Sequence, residues 1–243
     1  MQNPVLGYHK IRGLAAALRM MFFYKGQPFT NVAFGSDMKE MWFGGKKPGL
    51  VQKNSLMNLP YIIDGDTTIT QSNTCLLYLG KKLGIDTEEA FFHNHAVLDQ
   101  TMDLRNDLMK VVYPFGSVKT KDEFPAAANK HMESATAHFT KLEGFCKGPY
   151  MCGSAPQSGD FHVFEMLDQH SIMCTSLGLP CIMESFPALK VLHASMKAEP
   201  ALAKYYESDM YVKYAHNNGL FTHFTGQGDD FVYGPTVEEL IQP

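Results

Sequence analysis

The 243-residue chain lacks several features that mark whole classes of proteins. No apolar run reaches the roughly 18 residues of a membrane span, because Arg19 interrupts the longest candidate, residues 14–23. Basic residues are not in excess, since 21 Lys and Arg stand against 25 Asp and Glu for a formal charge of −4. The N-terminus has neither the basic start nor the apolar stretch of a secretory signal. The chain is therefore predicted to bind neither nucleic acid nor a membrane.

Cysteine is sparse as well, and its spacing carries no motif. The five cysteines are scattered, odd in number and never at C-x-x-C spacing, so neither a disulfide framework nor a cysteine-based zinc site is expected. Free thiols in a reducing compartment are the simplest interpretation. The phosphate-binding patterns G-x-x-x-x-G-K-[ST] and G-x-G-x-x-G are missing, as is the G-x-S-x-G nucleophile elbow. The sequence thus predicts no metal site, and the usual cofactor-binding patterns are absent.

What the chain does contain is a change of pattern near residue 84. Up to that point the predicted elements are strands over 5–8 and 29–34, a hairpin over 59–63 and 67–70, and helices over 11–24 and 71–84. The stretch 35–57 is rich in Gly, Lys and Pro, which predicts a long loop that contains Trp42. These elements indicate a small α/β domain over residues 1–84.

Beyond a hydrophilic break, residues 89–225 carry almost only helical spacing. Helices are predicted over 90–112 and 126–145, around Phe161, and over 183–207. Residues 226–243 show no sustained period, which predicts an extended tail that is ordered only if it packs against the body. Asp229 and Asp230 in this tail are expected to be solvated. The predicted fold class is therefore α/β plus all-α.

Three polar groups in the first domain are candidates for ligand binding, and each also has a plainer structural explanation. Tyr8 ends the first strand, where open α/β sheets bind ligands, although a tyrosine there can simply pack. Asn58-Leu59-Pro60-Tyr61 opens the hairpin, where proline at a strand start is tolerated and the Leu59 backbone is left free. Gln71-Ser72 begins a helix whose free N–H groups suit a carboxylate, although such residues also serve as ordinary caps.

Together these segments resemble the mu-class glutathione transferases. Leu6-Gly7-Tyr8-His9-Lys10-Ile11-Arg12-Gly13-Leu14-Ala15 is similar to the opening of that family. Residues 58–65 and 69–73 resemble its second signature, and Gln100-Thr101-Met102-Asp103 matches a third stretch. The resemblance covers residues 4–210. It implies a thioredoxin-like N-terminal domain that binds glutathione, an all-helical C-terminal domain that forms the electrophile pocket, and a homodimer.

The resemblance also implies a role for individual residues. Tyr8 donates its hydroxyl hydrogen to the glutathione sulfur and stabilises the thiolate, which attacks an electrophilic carbon. Glutathione is the co-substrate, and no metal or organic cofactor is needed. Gln71 and Ser72 hold the γ-glutamyl carboxylate. The other implied contacts are Asn58, Leu59 and a cis Pro60 beside the cysteinyl unit, His9 in the wall of the glutathione site, Trp42 and Lys46 at the glycine end, Asp103 toward the glutathione of the partner subunit, and Tyr113 and Arg105 in the electrophile pocket.

Two departures from the family pattern fall in the glutathione site. His9 stands where the family has a tryptophan after the catalytic tyrosine, which alters one wall of the site. Residues 44–53 are longer than in the family, whereas the stretch between the second strand and Trp42 is shorter. The insertion leaves Lys46 and Lys47 as alternatives for the counter-charge to the glycine carboxylate.

Two further departures lie in the helical domain and the tail. Gln157 stands where a Ser or Thr cap is usual, so Ser158 shifts the helix start by one residue or that start is less stable. The tail after His223 has no counterpart in the family. The implied function is a cytoplasmic transferase that conjugates glutathione to small hydrophobic electrophiles in detoxification. A non-catalytic glutathione- or hydrophobic-ligand-binding protein and a glutathione-dependent isomerase remain as alternatives; a tail folded over the pocket would favour the binder.

Overall fold

The structure is a computed structural model that describes residues 2–228 and 231–243, so the expectation for Asp229 and Asp230 lies outside the described residues. Its strands are β1 (Val5–His9), β2 (Phe29–Phe34), β3 (Tyr61–Asp64), β4 (Thr67–Thr70) and β5 (Val237–Ile241). Its α-helices are α1 (Ala16–Tyr24), α2 (Lys47–Val51), α3 (Ser72–Lys82), α4 (Phe91–Val112), α5 (Phe124–Phe145), α6 (Ser158–Leu177), α7 (Pro187–Ala198), α8 (Ala203–Glu207) and α9 (Asp209–Val212). The predicted hairpin and the two long helices α4 and α5 are confirmed.

The five strands form one mixed sheet in the order β4-β3-β1-β2-β5. β1 and β2 run parallel, whereas the pairs β1–β3, β3–β4 and β2–β5 are antiparallel. Side chains alternate between the two faces of the sheet, as the pleat requires. Leu6 and Tyr8 of β1 join the main core with α1, whereas Tyr61 of β3 joins a smaller apolar cluster on the other face. Both faces are therefore covered, and β1 lies in the centre.

The stretch predicted as a long loop is largely helical, and that prediction is wrong. Residues 39–46 are π-helical and continue directly into α2. Trp42 anchors this stretch to the sheet: its side chain is 1% exposed, and it stacks on Tyr61 with ring centroids 5.6 Å apart and 13° between the planes. Glycine and proline break the periodicity of the sequence here, but packing against the sheet overrides weak local helix propensity.

The first helix begins later than its apolar spacing predicts. α1 starts at Ala16, because Gly13 adopts a positive φ of 39° and Ile11 forms a bridge with Ala215. Arg19, which interrupts the apolar run, is completely buried. Its guanidinium donates to the Ile11 carbonyl oxygen at 2.7 Å. The buried charge is thus hydrogen-bonded, as burial requires, and it holds α1 against the bend that follows β1.

The start of α6 shows how the chain replaces the missing Ser or Thr cap. Gln157 remains the cap residue and Ser158 is the first helical residue, so the start does not shift. The Gln157 N–H donates to Asp160 Oδ2 at 2.8 Å. The Ser158 N–H and hydroxyl donate to the two carboxylate oxygens of Asp86 at 2.6 and 2.8 Å. Two carboxylates thus satisfy the helix N-terminus, which favours negative charge.

The tail, predicted to be extended, forms a fifth strand at the edge of the sheet. β5 pairs antiparallel with β2 along its full length. On the approach to β5, Tyr233 Oη donates to the Phe34 carbonyl oxygen at 3.0 Å, and the Thr236 N–H donates to Asp37 Oδ1 at 2.8 Å. The tail was predicted to be ordered only if it packs against the rest of the protein. It does so, and it covers the edge of β2.

Candidate active site

Tyr8 lies near the end of β1, where the sheet meets the helical domain. Its side chain is 4% exposed, and the bend after β1 brings Gly13 against it. A Cβ atom on Gly13 would lie only 2.9 Å from the Tyr8 hydroxyl oxygen. No group in residues 2–228 and 231–243 forms a hydrogen bond with this hydroxyl. The hydroxyl is therefore free to donate to a ligand that reaches this point.

A cavity of about 700 Å³ opens beside Tyr8, between the sheet and the helical domain. It brings together four of the predicted site residues, Tyr8, His9, Arg105 and Tyr113. Sequence reasoning missed other residues of its wall, among them Lys39, Phe43, Phe115, Asn218 and Phe221. No sequence motif marks these residues. Of the five, only Phe115 could have been predicted, because it closely follows Tyr113 just beyond the end of α4.

Tyr113 combines a stacked ring with a hydrogen-bonded hydroxyl. The ring stacks on Phe115 with centroids 4.8 Å apart, and the hydroxyl oxygen accepts the N–H of Asn218 at 2.7 Å. Burial raises the pKa of Tyr113 to about 12, against the opposing effect of that hydrogen bond. The phenol therefore keeps its proton at neutral pH and can donate it to a ligand in the cavity.

His9, which stands in place of a tryptophan, is a neutral wall of the cavity. Burial, helped by the positive charge of Arg105, lowers the pKa of His9 to about 4. The ring meets Tyr8 edge to face with centroids 5.2 Å apart. Its Nδ1 atom is buried and has no hydrogen-bond partner within the described part of the chain. At neutral pH His9 therefore adds no charge beside the Tyr8 hydroxyl.

A second group of predicted residues meets at the same end of the sheet. Gly7 of β1 lies opposite the first residue of β3, so the chain that enters β3 through Leu59 and Pro60 passes the end of β1. The Leu59–Pro60 bond is cis. Thr70, opposite the first residue of β3 in the ladder, accepts the Asn58 N–H at 3.1 Å through its hydroxyl oxygen. These contacts leave the Leu59 backbone at the edge where β1 ends.

The start of α3 carries the two residues predicted to hold a carboxylate. Gln71 has a φ of 72°, an uncommon value for a residue other than glycine, and such strain often accompanies a functional role. Ser72 is the first helical residue and is buried. No side chain in the described residues caps this helix, so its first N–H groups are available to an anion.

The residues predicted to bind the glycine end of glutathione already contact other residues of the chain. Trp42 is buried against the sheet, and Lys46 Nζ lies 2.7 Å from Glu238 Oε2 of β5. The Lys47 ammonium lies 5.3 Å from the centroid of the Phe43 ring. Asp103 is exposed on α4 and does not line the cavity, so its predicted role toward a partner subunit stays a prediction.

The fold as a whole is shared with solved structures. The glutathione S-transferase Blo t 8 superposes with a TM-score of 0.73 at 24% identity and covers 91% of this chain and 99% of its own. A pi-class glutathione S-transferase from Onchocerca volvulus gives a TM-score of 0.67 at 24% identity, with 89% and 98% of the two chains covered. These similarities define the fold: a thioredoxin-like domain followed by a helical domain.

Sequence comparison defines the class of protein. Residues 102–209 match the family model of the glutathione S-transferase C-terminal domain. A class-mu 26 kDa isozyme of Fasciola hepatica is 30% identical over 92% of this chain and 96% of its own length. Glutathione S-transferase Mu 2 of Rattus norvegicus is 31% identical, over 85% and 92%. The chain belongs to the glutathione S-transferase family, and these relatives are of its mu class.

The contact between Gly13 and Tyr8 makes a testable prediction. Gly13→Ala adds a Cβ atom against the Tyr8 hydroxyl, and a shift of about 1 Å in a reacting group can cost up to about a hundredfold in rate. We expect kcat/KM for glutathione conjugation to fall at least about tenfold.

Gly65→Ala is the matched control, because Gly65 also has a positive φ but has open space around it. Both variants share the cost of a side chain at positive φ, about 1–2 kcal/mol of stability. Urea unfolding and initial rates measured on both proteins separate the two effects. An equal activity for the two variants would show that Gly13 does not position Tyr8.

Proposed function

We propose that this glutathione S-transferase activates the thiol of glutathione and conjugates it to small hydrophobic electrophiles. The Tyr8 hydroxyl carries the proposal, because it borders a cavity and has no partner among the described residues. Lowering a thiol pKa from about 8.5 by about 2 units takes roughly 2.7 kcal/mol. A hydrogen bond to a charged group supplies about 1.5–3 kcal/mol. One hydroxyl donor therefore accounts for most of the activation.

In this proposal the groups around β3 and α3 bind the rest of the glutathione molecule. The γ-glutamyl carboxylate is placed on Ser72 and Gln71 at the start of α3, and the cysteinyl unit on the Leu59 backbone, with Asn58 beside it. The sulfur then points toward Tyr8. It forms the new bond to the electrophilic carbon, and the leaving group departs with the bonding electrons. In this proposal glutathione is the co-substrate, and the reaction needs no metal or organic cofactor.

The course of the tail supports an enzyme rather than a non-catalytic binder. Residues 231–243 contribute nothing to the wall of the cavity, because β5 runs along the outer edge of β2. Of the described residues beyond 200, only Asn218, Leu220 and Phe221 line the cavity. A substrate can therefore reach Tyr8 without displacing residues 231–243.

We extend the proposal to a cytoplasmic homodimer that acts in detoxification. Two large apolar side chains are available to a dimer interface: Leu56 is 67% exposed and Phe92 is 83% exposed, and burying them against a partner would be favourable. In a dimer, Asp103 would reach the glutathione of the partner subunit. All five cysteines are free thiols, which fits a reducing compartment. Of the helices described, none is both long and apolar enough to cross a bilayer.

The direct test is the initial rate of glutathione addition to chlorodinitrobenzene by the full chain. We expect saturation in both substrates and a rate at least about tenfold above the uncatalysed reaction, well within what enzymes achieve. Calorimetric titration with glutathione provides the second measurement. Binding of glutathione without turnover of several electrophiles would contradict the proposed transferase and favour a binder.

The ion pair between Lys46 and Glu238 offers a test of the glycine end. If Lys46 binds the glycine carboxylate, Glu238 competes with it. Glu238→Gln is then expected to lower KM for glutathione by about twofold to fivefold, which corresponds to the free energy of an exposed ion pair. Lys46→Met is expected to raise KM by a similar factor, with kcat little changed. A higher KM in Lys47→Met instead would assign the role to Lys47.

A further inference from the structure

The cavity beside Tyr8 carries positive charge without a matching negative charge. Arg105 and Lys39 line it, and no Asp or Glu of residues 2–228 and 231–243 does. Neither cation forms an ion pair or hydrogen bond with any described residue. An unpaired cation in a partly closed cleft attracts an anion more strongly than one in open water. The cavity is therefore complementary to a ligand that is negatively charged.

Arg105 stands out among the three arginines of the chain. Arg12 pairs with Glu165 at 2.6 Å, and Arg19 is held by backbone and side-chain oxygens. Arg105 alone lacks a partner within the described part of the chain. It is half-buried on α4, whereas Lys39 is exposed. An anionic ligand in the cavity can therefore pair with Arg105 without breaking an existing ion pair.

The rest of the cavity opening is apolar. Phe43, Phe115, Leu220 and Phe221 line the cavity, yet they are 53, 75, 45 and 54% exposed. Large apolar side chains gathered around one opening mark a binding surface. They cannot recognise a charge, so they fit the body of the ligand and Arg105 fits its charged end.

We propose that the electrophiles preferred by this site are aromatic or apolar acids, in which Arg105 binds a carboxylate and the exposed phenylalanines cover the hydrophobic body. The inference rests on the proposed transferase function and specifies its substrate class. A guanidinium is suited to this task because it presents paired N–H donors that match the two oxygens of a carboxylate. Lys39, at the exposed side, contributes a weaker and more screened attraction.

The acid group takes no part in the bond changes. With a chlorodinitrobenzoate as substrate, the glutathione sulfur forms the bond to the ring carbon and chloride leaves with the bonding electrons. The thiol proton passes to solvent, and the carboxylate is unchanged. Its effect is confined to binding and orientation, so it should appear as a preference between an acid and its neutral ester.

The test compares chlorodinitrobenzoate with its methyl ester. Each kcat/KM is divided by the uncatalysed rate constant of the same compound, which removes their difference in intrinsic reactivity. We expect this normalised kcat/KM to be at least about tenfold higher for the acid than for the ester, which is the effect of one charge-assisted hydrogen-bonded pair. Arg105→Gln should abolish most of this preference, Arg105→Lys should restore part of it, and added salt should weaken it.

Lys204→Gln is the matched control, because it removes one positive charge from an exposed position on α8 that does not line the cavity. No preference for the acid in the wild type would overturn the inference. Equal losses for acid and ester in Arg105→Gln would also overturn it, because Arg105 would then act on the thiolate.

Binding of the two reaction products separates this inference from the proposed function. The glutathione conjugates of the acid and the ester are titrated calorimetrically into wild type and Arg105→Gln, with no turnover required. Tighter binding of the acid conjugate, lost in Arg105→Gln, supports the inference even if no electrophile is turned over, a result that would contradict only the transferase. Equal affinities in the wild type would overturn the inference while leaving the transferase intact.

Discussion

Tyr8→Phe is expected to lower kcat/KM for glutathione addition to chlorodinitrobenzene by about tenfold to a hundredfold, or about 1.4–2.7 kcal/mol. Phenylalanine keeps the ring that packs beneath the cavity and removes only the hydroxyl. Because no described residue uses that hydroxyl, its loss breaks no contact of the free protein. The stability should therefore change little, and the deficit should appear in the reaction with bound glutathione.

The pH profile identifies the cause of the deficit. Without the hydroxyl donor, the pKa of the bound thiol should rise toward its free value of about 8.5. The difference between wild type and Tyr8→Phe should then be largest near pH 6 and shrink toward pH 9. Rates measured at saturating glutathione across this range provide the test. A parallel loss at every pH would mean that Tyr8 positions the substrate rather than ionises the thiol.

Tyr61→Phe is the matched control for this substitution. Tyr61 lies on the adjacent strand but faces the opposite side of the sheet, and its hydroxyl is buried without a partner among the described residues. Removing it should leave the rate unchanged. Unchanged rates in Tyr8→Phe as well would refute the assignment of Tyr8 and direct attention to the imidazole N–H of His9.

Local signals in the sequence were sufficient for the hairpin and for the long helices. The hairpin follows from a turn at Asp64-Gly65 between an apolar run and a β-branched run, and α4 from apolar residues at helical spacing. Trp42 shows where such signals fail. Its segment is rich in glycine and lysine, and only the sheet beneath it makes a helix there favourable. Tertiary packing of this kind cannot be read from a window of sequence.

The tail could not be placed for a similar reason. An edge strand usually shows alternation of apolar and polar residues, but Glu238, Glu239 and Leu240 of β5 are all exposed. Its pairing with β2 joins residues about as far apart in sequence as the chain allows. The extended conformation was therefore predictable, whereas the partner strand was not.

The candidate site divides in the same way. Tyr8, Ser72 and Leu59 lie in short segments whose local geometry and family resemblance pointed to a ligand. Asn218 and Phe221 belong to an irregular segment with no motif. They reach the cavity because Thr222 Oγ1 and the His223 N–H donate to the Val112 carbonyl oxygen at 2.8 Å each. This side of the cavity is thus built by long-range contacts.

The largest effect on stability is expected from Arg12, which joins the two parts of the molecule. Its guanidinium donates to Glu165 Oε2 at 2.6 Å and to Asp168 Oδ2 at 2.7 Å, both on α6. All three side chains are buried. Arg12→Met keeps most of the volume but leaves Glu165 without its counter-charge. Removing one partner of a buried ion pair typically costs about 3–5 kcal/mol, and we expect a loss of that size in urea unfolding at pH 7.

The lowered pKa of Asp168 predicts how this loss of stability depends on pH. Burial alone raises its pKa, but hydrogen bonds from His193 and Arg12 outweigh burial and hold the pKa well below the usual range. A carboxyl with a lowered pKa stabilises the fold above its unfolded pKa, near 3.9, and this stabilisation disappears as the pH falls through its folded pKa. The part of the Arg12→Met deficit that comes from Asp168 should therefore be present at neutral pH and shrink in strong acid. Burial raises the pKa of Glu165 to about 7 against the opposing effect of Arg12, so the part that comes from Glu165 should grow as the pH rises above neutral.

Two further variants separate a buried pair from an ordinary surface one. Lys213→Met breaks an exposed pair with Asp209, in which the side chains are 69 and 68% exposed, and should change the stability by less than about 1 kcal/mol. Arg12→Met combined with Glu165→Met should recover the part of the loss that comes from Glu165, since neutral side chains of similar volume replace buried pairs at little cost. If Arg12→Met loses no more stability than Lys213→Met, then Glu165 and Asp168 on α6 are stabilised by other groups and do not need Arg12. With the expected loss, the bend that sets Gly13 against Tyr8 depends on an ion pair with the helical domain.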